Sequence, residues 1–425
     1  MNLDDLNAAA RLKEVVEKIA AEVVESMYPR PRFATVKTVD SLNRKVVVNY
    51  PGDATDVTVD GTVILPNVGA TVRVAGVAGA RFVDEIMTGP PLLSSRTPLN
   101  YIRNGALNVW QRGPGAFTGA GPVTADGWTH WANGSTISTT RQGFTLGNTI
   151  PGQETPWYLR SVVTSVAGAG NLAVIYQAVE GVRSLAGQTA TLSFWAKADA
   201  AKNIAVEFEQ AFGTGGSPSA NVTGIGSQKI ALTTGWKRYT VTVSIPSITG
   251  KTIGTNNNDR LGVMLWMDAG STFNARSATL GQQSGTFEFW GLQLEQGATA
   301  TDFERMSPEE DLRQQQRYLY ARTSTSASEC LGHGGWATSG TIGNVGVVLP
   351  VTMRGTPTVS YTGNWGLSDG VTYVAATGIT VLAGQSQPSH VVLQVTVAAG
   401  LATFRPHRLE TAAVGATFAF TAELG

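Results

Sequence analysis

Residues 104–128 read NGALNVWQRGPGAFTGAGPVTADGW, and this stretch decides the fold. Two tryptophans and six glycines share its 25 positions. The run Leu107, Asn108, Val109, Trp110 has the alternation of a half-buried strand, and a Gly/Pro/Thr loop then leads to Trp128. Bulky rings among loose turns mark the opening edge of a large antiparallel β-sandwich, whose core is held by aromatic burial. Eight of the ten tryptophans lie from Trp110 to Trp290, which centres that core on residues 99–306. Strands are expected near 161–163, 173–177, 189–196, 204–210, 236–244, 261–267 and 286–295. Leu192, Phe194 and Ala196 alternate with Ser193, Trp195 and Lys197, and Val206 and Phe208 with Glu207 and Glu209, as when one face is buried and the other wet.

Outward toward the N-terminus, a Pro/Ser-rich link at 88–98 separates this region from residues 31–90, where short β-branched runs recur between Asn, Asp, Gly and Pro turns. Five or six strands in so short a span suit a closed OB-like barrel better than an open sheet with two bare edges. Residues 1–30 read as an amphipathic helix, with Asn2 at its cap, Leu12, Val16, Ile19 and Val23 on one face, and Pro29 beyond its end. That stripe needs a cover, either the next domain or copies of itself, because a lone helix is marginal in water. Toward the C-terminus, Ser307, Pro308 and Glu310 form a capping box that opens a linker helix over 307–320. Residues 321–425 are again strand-rich and are expected to form a C-terminal β-sandwich for assembly. The fold class is therefore mainly β: N-terminal helix plus OB-like small barrel, central jelly-roll β-sandwich and C-terminal β-sandwich.

Composition narrows the function. Lysine plus arginine equal aspartate plus glutamate at 31 each, so no net field draws the chain toward nucleic acid or an anionic membrane. The single Cys330 excludes an internal disulfide framework and a multi-thiolate metal site. No apolar run approaches the roughly 18 residues of a membrane span, and no basic, then apolar, secretory leader opens the chain. A cytoplasmically made, disulfide-free, Gly/Thr-rich β chain fits a part assembled inside a cell and released by lysis, such as a virion component. Gly250-Lys251-Thr252 lacks the leading glycine of a phosphate loop, since Ile245 stands there. Asn256 to Asp259 read as an Asx-rich turn, and the four histidines stand singly. Glu207 and Glu209 have the i, i+2 spacing of a carboxylate acid/base pair, about 7 Å by strand rise, but lie in no catalytic motif.

Six ordered motifs carry a resemblance: Asn104-Gly105, Trp110-Gln111-Arg112-Gly113, Ala125-Asp126-Gly127-Trp128, Ser193-Phe194-Trp195-Ala196-Lys197, Gly235-Trp236-Lys237-Arg238-Tyr239, and Phe289 through Gly297. Together with Gln316-Arg317-Tyr318 they resemble the carbohydrate-binding-like jelly rolls of phage and prophage tail proteins, over residues 99–320. Residues 66–74, PNVGATVRV, resemble a piece of the small barrels on phage tail hubs and baseplates. The chain departs from the pattern at Gly127, where the family usually has Arg, and at Gln315 and Leu319, where it has Cys and Tyr. The resemblance implies a tail-fibre or tail-tip protein of the virion, homotrimeric, with other tail or baseplate proteins and host cell-surface polysaccharide as partners; the missing catalytic motifs, the balanced charge and the lack of long apolar runs add the expectation that it is non-enzymatic and engages in neither nucleic acid binding nor membrane insertion. Sugars need an aromatic platform rimmed by amides, carboxylates or guanidinium groups, which Trp131, Trp157, Trp195, Glu207, Glu209, Gln177 and Asn203 can supply. No cofactor is expected. By analogy with other jelly rolls, a structural calcium would take Asn104, Asp126 and Glu295. The alternatives are a purely structural tail-tip component and a glycan depolymerase.

Overall fold

In the computed structural model, the described residues are five strands within 32–88 and the chain from 100 to 424, apart from 120, 122, 148, 149, 151 and 152. The helix expected over 1–30 lies outside them. The chain divides into two compact units, Met1–Pro98 and Leu99–Gly425.

In the first unit, β1 (Arg32–Asp40), β2 (Lys45–Asn49), β3 (Val57–Asp60), β4 (Thr71–Val77) and β5 (Ala80–Thr88) close into a barrel in the order β1-β2-β3-β5-β4. Only β3 and β5 pair in parallel. Val36, Val46, Val48, Val59, Val72 and Val74 fill the interior, so alternate β-branched positions build the core and closure leaves no bare edge.

The second unit begins with the sandwich. Its strands are β6 (Phe117–Thr118), β7 (Trp128–Asn133), β8 (Thr136–Gly143), β9 (Trp157–Thr164), β10 (Leu172–Glu180), β11 (Thr189–Ala198), β12 (Lys202–Ala211), β13 (Val222–Leu232), β14 (Lys237–Ser244), β15 (Arg260–Ala269) and β16 (Gly285–Gln296). A five-stranded sheet, β13-β12-β15-β10-β7, faces a six-stranded one, β14-β11-β16-β9-β8-β6, in jelly-roll fashion. Trp128, Phe194, Phe208, Phe287 and Phe289 are among the rings in the core between them. The opening stretch enters that core as expected, but not as a strand. Asn104 and Leu107 take left-handed φ values of 49° and 56°. The Asn104 amide accepts from Val109 N and donates to the carbonyls of Val109 and Asp126, and Trp110 Nε1 donates to Leu107 O. A side-chain-capped loop thus delivers Leu107 and Trp110 to the core, satisfying locally the backbone groups that a strand would have paired across a sheet.

Beyond the sandwich, Ser307 caps α1 (Pro308–Gln316) by accepting from Glu310 N, as its sequence predicts. The helix stops sooner than expected, because residues 319–323 are needed as β17 (Leu319–Thr323). Then follow β18 (Cys330–Ala337), β19 (Ile342–Val348), β20 (Thr358–Thr362), β21 (Trp365–Ser368), β22 (Tyr373–Val381), β23 (His390–Val397), β24 (Pro406–Thr411) and β25 (Thr417–Thr421). The expected C-terminal sandwich is instead a closed six-stranded barrel, β18-β19-β23-β22-β21-β24, beside a three-stranded sheet, β17-β25-β20. Register shifts along β18 and at Ala376/Gly378 supply the coil that lets β24 pair with both β18 and β21. A side chain at Gly335 would stand 2.5 Å from Asn344 O, so only glycine allows that closure.

Candidate functional site

Alternation along β10 sends Ile175 and Val179 into the core and turns Val174 and Tyr176 outward. Pairing with the neighbouring strands then lines up Trp131, Val174, Trp266 and Ala205 across the outer face of the five-stranded sheet. Thr129, Tyr176, Met264 and Glu207 form the next row. After β15 the chain folds back over part of this face: the Phe273 ring lies tilted against the Trp266 ring at 5.3 Å, and Leu280 packs beside it. What stays open is a shallow aromatic strip, with Trp131 47% exposed and Thr129, Tyr176 and Met264 half-buried.

Arg276, carried on the same returning segment, closes the strip's edge. Its Nε donates to Glu207 Oε1 at 2.7 Å and its Nη2 to Glu209 Oε2 at 3.2 Å, and its guanidinium lies 5.4 Å from the Trp266 ring. Glu207 also accepts from Trp266 Nε1 at 2.8 Å and Gly224 N at 2.7 Å, and Glu209 from Asn221. The face of β12 expected to be wet is therefore buried, with Glu207 fully enclosed. Burial of two carboxylates is tolerable because a guanidinium and neutral donors take up their oxygens. These bonds tie the returning segment to β12.

The other expected site residues divide between the sheets. Asn203 shares the outward register of Ala205 and Glu207, and its carbonyl accepts from the Gln283 amide. Gln177 points inward, clamping both backbone polar groups of Arg103 at 2.7 and 2.8 Å. Trp195 and Trp157 belong to the six-stranded sheet. Trp195 sits opposite Trp290 and packs in a cluster with Ala106 and Phe303, while Trp157 lies under the Arg141 guanidinium at 4.3 Å. That sheet's outer face also gathers Phe144 with Tyr158 and Trp236, at 4.7 and 5.4 Å, beside Glu288 held by Arg160 and Lys197. Trp131 thus shares its sheet face with Glu207, Glu209 and Asn203, across the intervening strands β10 and β15, but not with Trp157, Trp195 or Gln177. Tyr176, Met264, Thr129 and Arg276 escaped the sequence reading. The alternation of Val174 and Tyr176 was a usable signal for the first, whereas Arg276 reaches β12 from 67 and 69 positions away.

The calcium set does not assemble. Asn104 is spent on the backbone of its own loop, Asp126 accepts from Gln111 N and Nε2, and Glu295 accepts from Thr301. Among the described residues no cluster of three or more His, Cys, Asp or Glu side chains is arranged to hold a metal ion. Burial pushes the Asp126 carboxyl up to about 6, against the two Gln111 bonds and the nearby Arg112.

Several motif residues meet instead at a seam between the sandwich and the C-terminal strands. Gln111 Nε2 donates to Asp126 Oδ2 at 2.6 Å and to Leu319 O at 2.7 Å, and Ala321 N donates to Gln111 Oε1. Arg112 pairs with Glu423 at 3.4 Å. Arg317 and the Tyr318 hydroxyl both reach Glu180, and the Arg103 guanidinium lies 3.6 Å from the Tyr318 ring centre. Burial pushes Glu180 up, but the Tyr318 hydroxyl, Arg317 and Arg354 outweigh it and hold the carboxylate below its usual range. A side chain at Gly127 would meet Arg103 Nη1 at 3.3 Å, so Arg103 occupies the space that the glycine leaves.

No protein-family model and no curated protein matches the chain. Among solved structures, a CBM4 module is 15% identical, with 46% of this chain and 99% of that chain covered, at a TM-score of 0.27. The module TmCBM61, solved in complex with β-1,4-galactotriose, is 12% identical, with 47% and 99% covered, at 0.26. The enzymatically active domain of bacteriophage CBA120 tailspike protein 4 is 16% identical at 0.27, with 47% of this chain but only 22% of the tailspike covered.

Proposed function

We infer that the chain is a non-enzymatic tail-fibre or tail-tip protein of a virion that adheres to host-surface polysaccharide through the outer face of its five-stranded sheet. The observation that carries the binding site is the open strip of Trp131 and Tyr176, on a sheet face whose remainder is covered by its own chain. Trp131 and Tyr176 are diagonal cross-strand neighbours, which puts their backbones about 7–8 Å apart and lets both rings serve one ligand. Stacking there needs only the C–H face of a sugar, while Thr129 and Arg276 offer hydrogen bonds at the rim. The tail context rests on the six ordered motifs. The non-enzymatic reading is supported by the engagement of Glu207 and Glu209 by Arg276, which takes up oxygens of both carboxylates. A shallow site binds weakly, and a homotrimer carried in several copies raises avidity by about 10²–10⁴ without new contacts.

The test is retention of the full chain on immobilised cell-wall polysaccharide from candidate hosts. Trp131→Ala and Tyr176→Ala are each expected to weaken binding by about 2 kcal/mol, roughly 30-fold in Kd, as for an aromatic hot spot. Retention unchanged in both variants would sink the site. A second reading, a structural tail component, is favoured by the seam, since Gln111, Arg112, Asp126, Arg317 and Tyr318 all serve intramolecular docking. It predicts no polysaccharide retention in any variant.

A further inference from the structure

The six-stranded C-terminal barrel carries a surface that the jelly-roll reading does not use. Its strands pair so that one register line crosses the outside of the wall: Pro406 lies opposite Trp336, Trp336 opposite Asn344, Asn344 opposite Gln394, and Gln394 opposite Thr380. The intervening positions, Val345, Leu393, Val395 and Ile379, fill the barrel core, so alternation turns the line outward. Trp336 is 49% exposed on that line. With strands about 4.8 Å apart, the four side chains from Trp336 to Thr380 span roughly 14 Å, the length of a short oligosaccharide.

Two further features single out this wall. Asn344 Oδ1 is buried and accepts no hydrogen bond among the described residues, so the amide oxygen is turned into the wall without a partner there. At the Trp336 end, Phe404 N donates to Ala337 O, and Phe404 itself takes a left-handed φ of 64° with its side chain 80% exposed. A bulky residue in that conformation is an outlier, and here the conformation displays an aromatic ring to solvent instead of burying it. The nearby charges are spent on one another: Arg405 pairs with Asp369 at 2.9 Å and Arg408 with Glu410 at 2.5 Å. An aromatic platform followed by two amides and a hydroxyl, with no unpaired charge in the line, matches an uncharged polyhydroxylated ligand.

We propose that the outer wall of the C-terminal barrel is a second saccharide site, in which Trp336 stacks on a neutral sugar ring and Gln394 and Thr380 bind its hydroxyls. It stands on observations separate from those of the sandwich face. The experiment is saturation-transfer NMR on the full chain with neutral hexaoses of glucose, galactose, xylose and N-acetylglucosamine as probes. The proteins are the wild type, Trp131→Ala, the double variant Trp131→Ala/Trp336→Ala, and Trp131→Ala/Gln394→Ala, each checked for an unchanged fold by circular dichroism. The Trp131→Ala protein is expected to keep a saturable signal with at least one probe. Adding Trp336→Ala should abolish that signal, and adding Gln394→Ala should weaken it at least threefold. The proposal is overturned if the Trp131→Ala protein binds none of the probes or if the double variant binds as the single one does. Loss of binding on Trp131→Ala alone would leave the sandwich site standing, whereas a signal unaffected by Trp131→Ala and removed by Trp336→Ala would sink that site and keep this one.

Discussion

Replacing Gln111 by alanine removes a junction that holds the sandwich loop to β17. The side chain makes one hydrogen bond to the Asp126 carboxylate, one to Leu319 O and one from Ala321 N. A bond to a charged group contributes about 2 kcal/mol and each neutral one about 1, so Gln111→Ala should cost about 4 kcal/mol at neutral pH. The loss should also depend on pH. The folded pKa of Asp126 is raised to about 6 from an ordinary 3.8, so the native state holds an extra proton between those values and stability falls as pH rises through that window. A rise of that size corresponds to about 3 kcal/mol. Gln111 opposes it, and its removal drives the carboxyl higher. Near pH 4.5 Asp126 is protonated in the native state and its bond from Gln111 is neutral, so the mutational loss there should shrink to about 3 kcal/mol. All ten tryptophans lie in the second unit, so urea unfolding followed by tryptophan emission reports that unit alone. A loss below about 1 kcal/mol at pH 7.5, or one that grows on acidification, would refute the role given to this junction.

Glu207→Gln puts an amide N–H where Trp266, Gly224 or Arg276 already donates, and should lower stability by about 3 kcal/mol in the same assay; a change within about 0.5 kcal/mol, as for an ordinary surface substitution, would mean that the buried carboxylate is not needed. Burial pushes the Cys330 thiol up, so iodoacetamide at pH 8 should alkylate the native chain more slowly than the urea-unfolded one. Equal rates would show that the thiol is not restrained.

Much of the architecture was legible because it is local. The β-branched alternation of the first barrel, the runs of β10, β11, β12, β15 and β16, and the Ser307 capping box each announce themselves within a few residues, since side-chain period and cap chemistry are properties of neighbours in the chain. The short strands β7 and β8, the Gly-interrupted β13, and the closure of the C-terminal strands into a barrel were not legible, because pairing partners and register shifts are settled between strands far apart in sequence.

The candidate site divides the same way. Sequence by itself determined that Glu207 and Glu209 stand on the face of their strand opposite Val206 and Phe208. Only the tertiary structure decided that Trp131 stays open while both glutamates are covered, because Arg276, Phe273 and Leu280 fold back from beyond β15. It likewise gathered Gln111, Asp126 and Tyr318, motif residues far apart in the sequence, into a seam. Alternation says which face a side chain takes; what covers that face depends on the free energy of burying distant apolar and charged groups together, which no local pattern encodes.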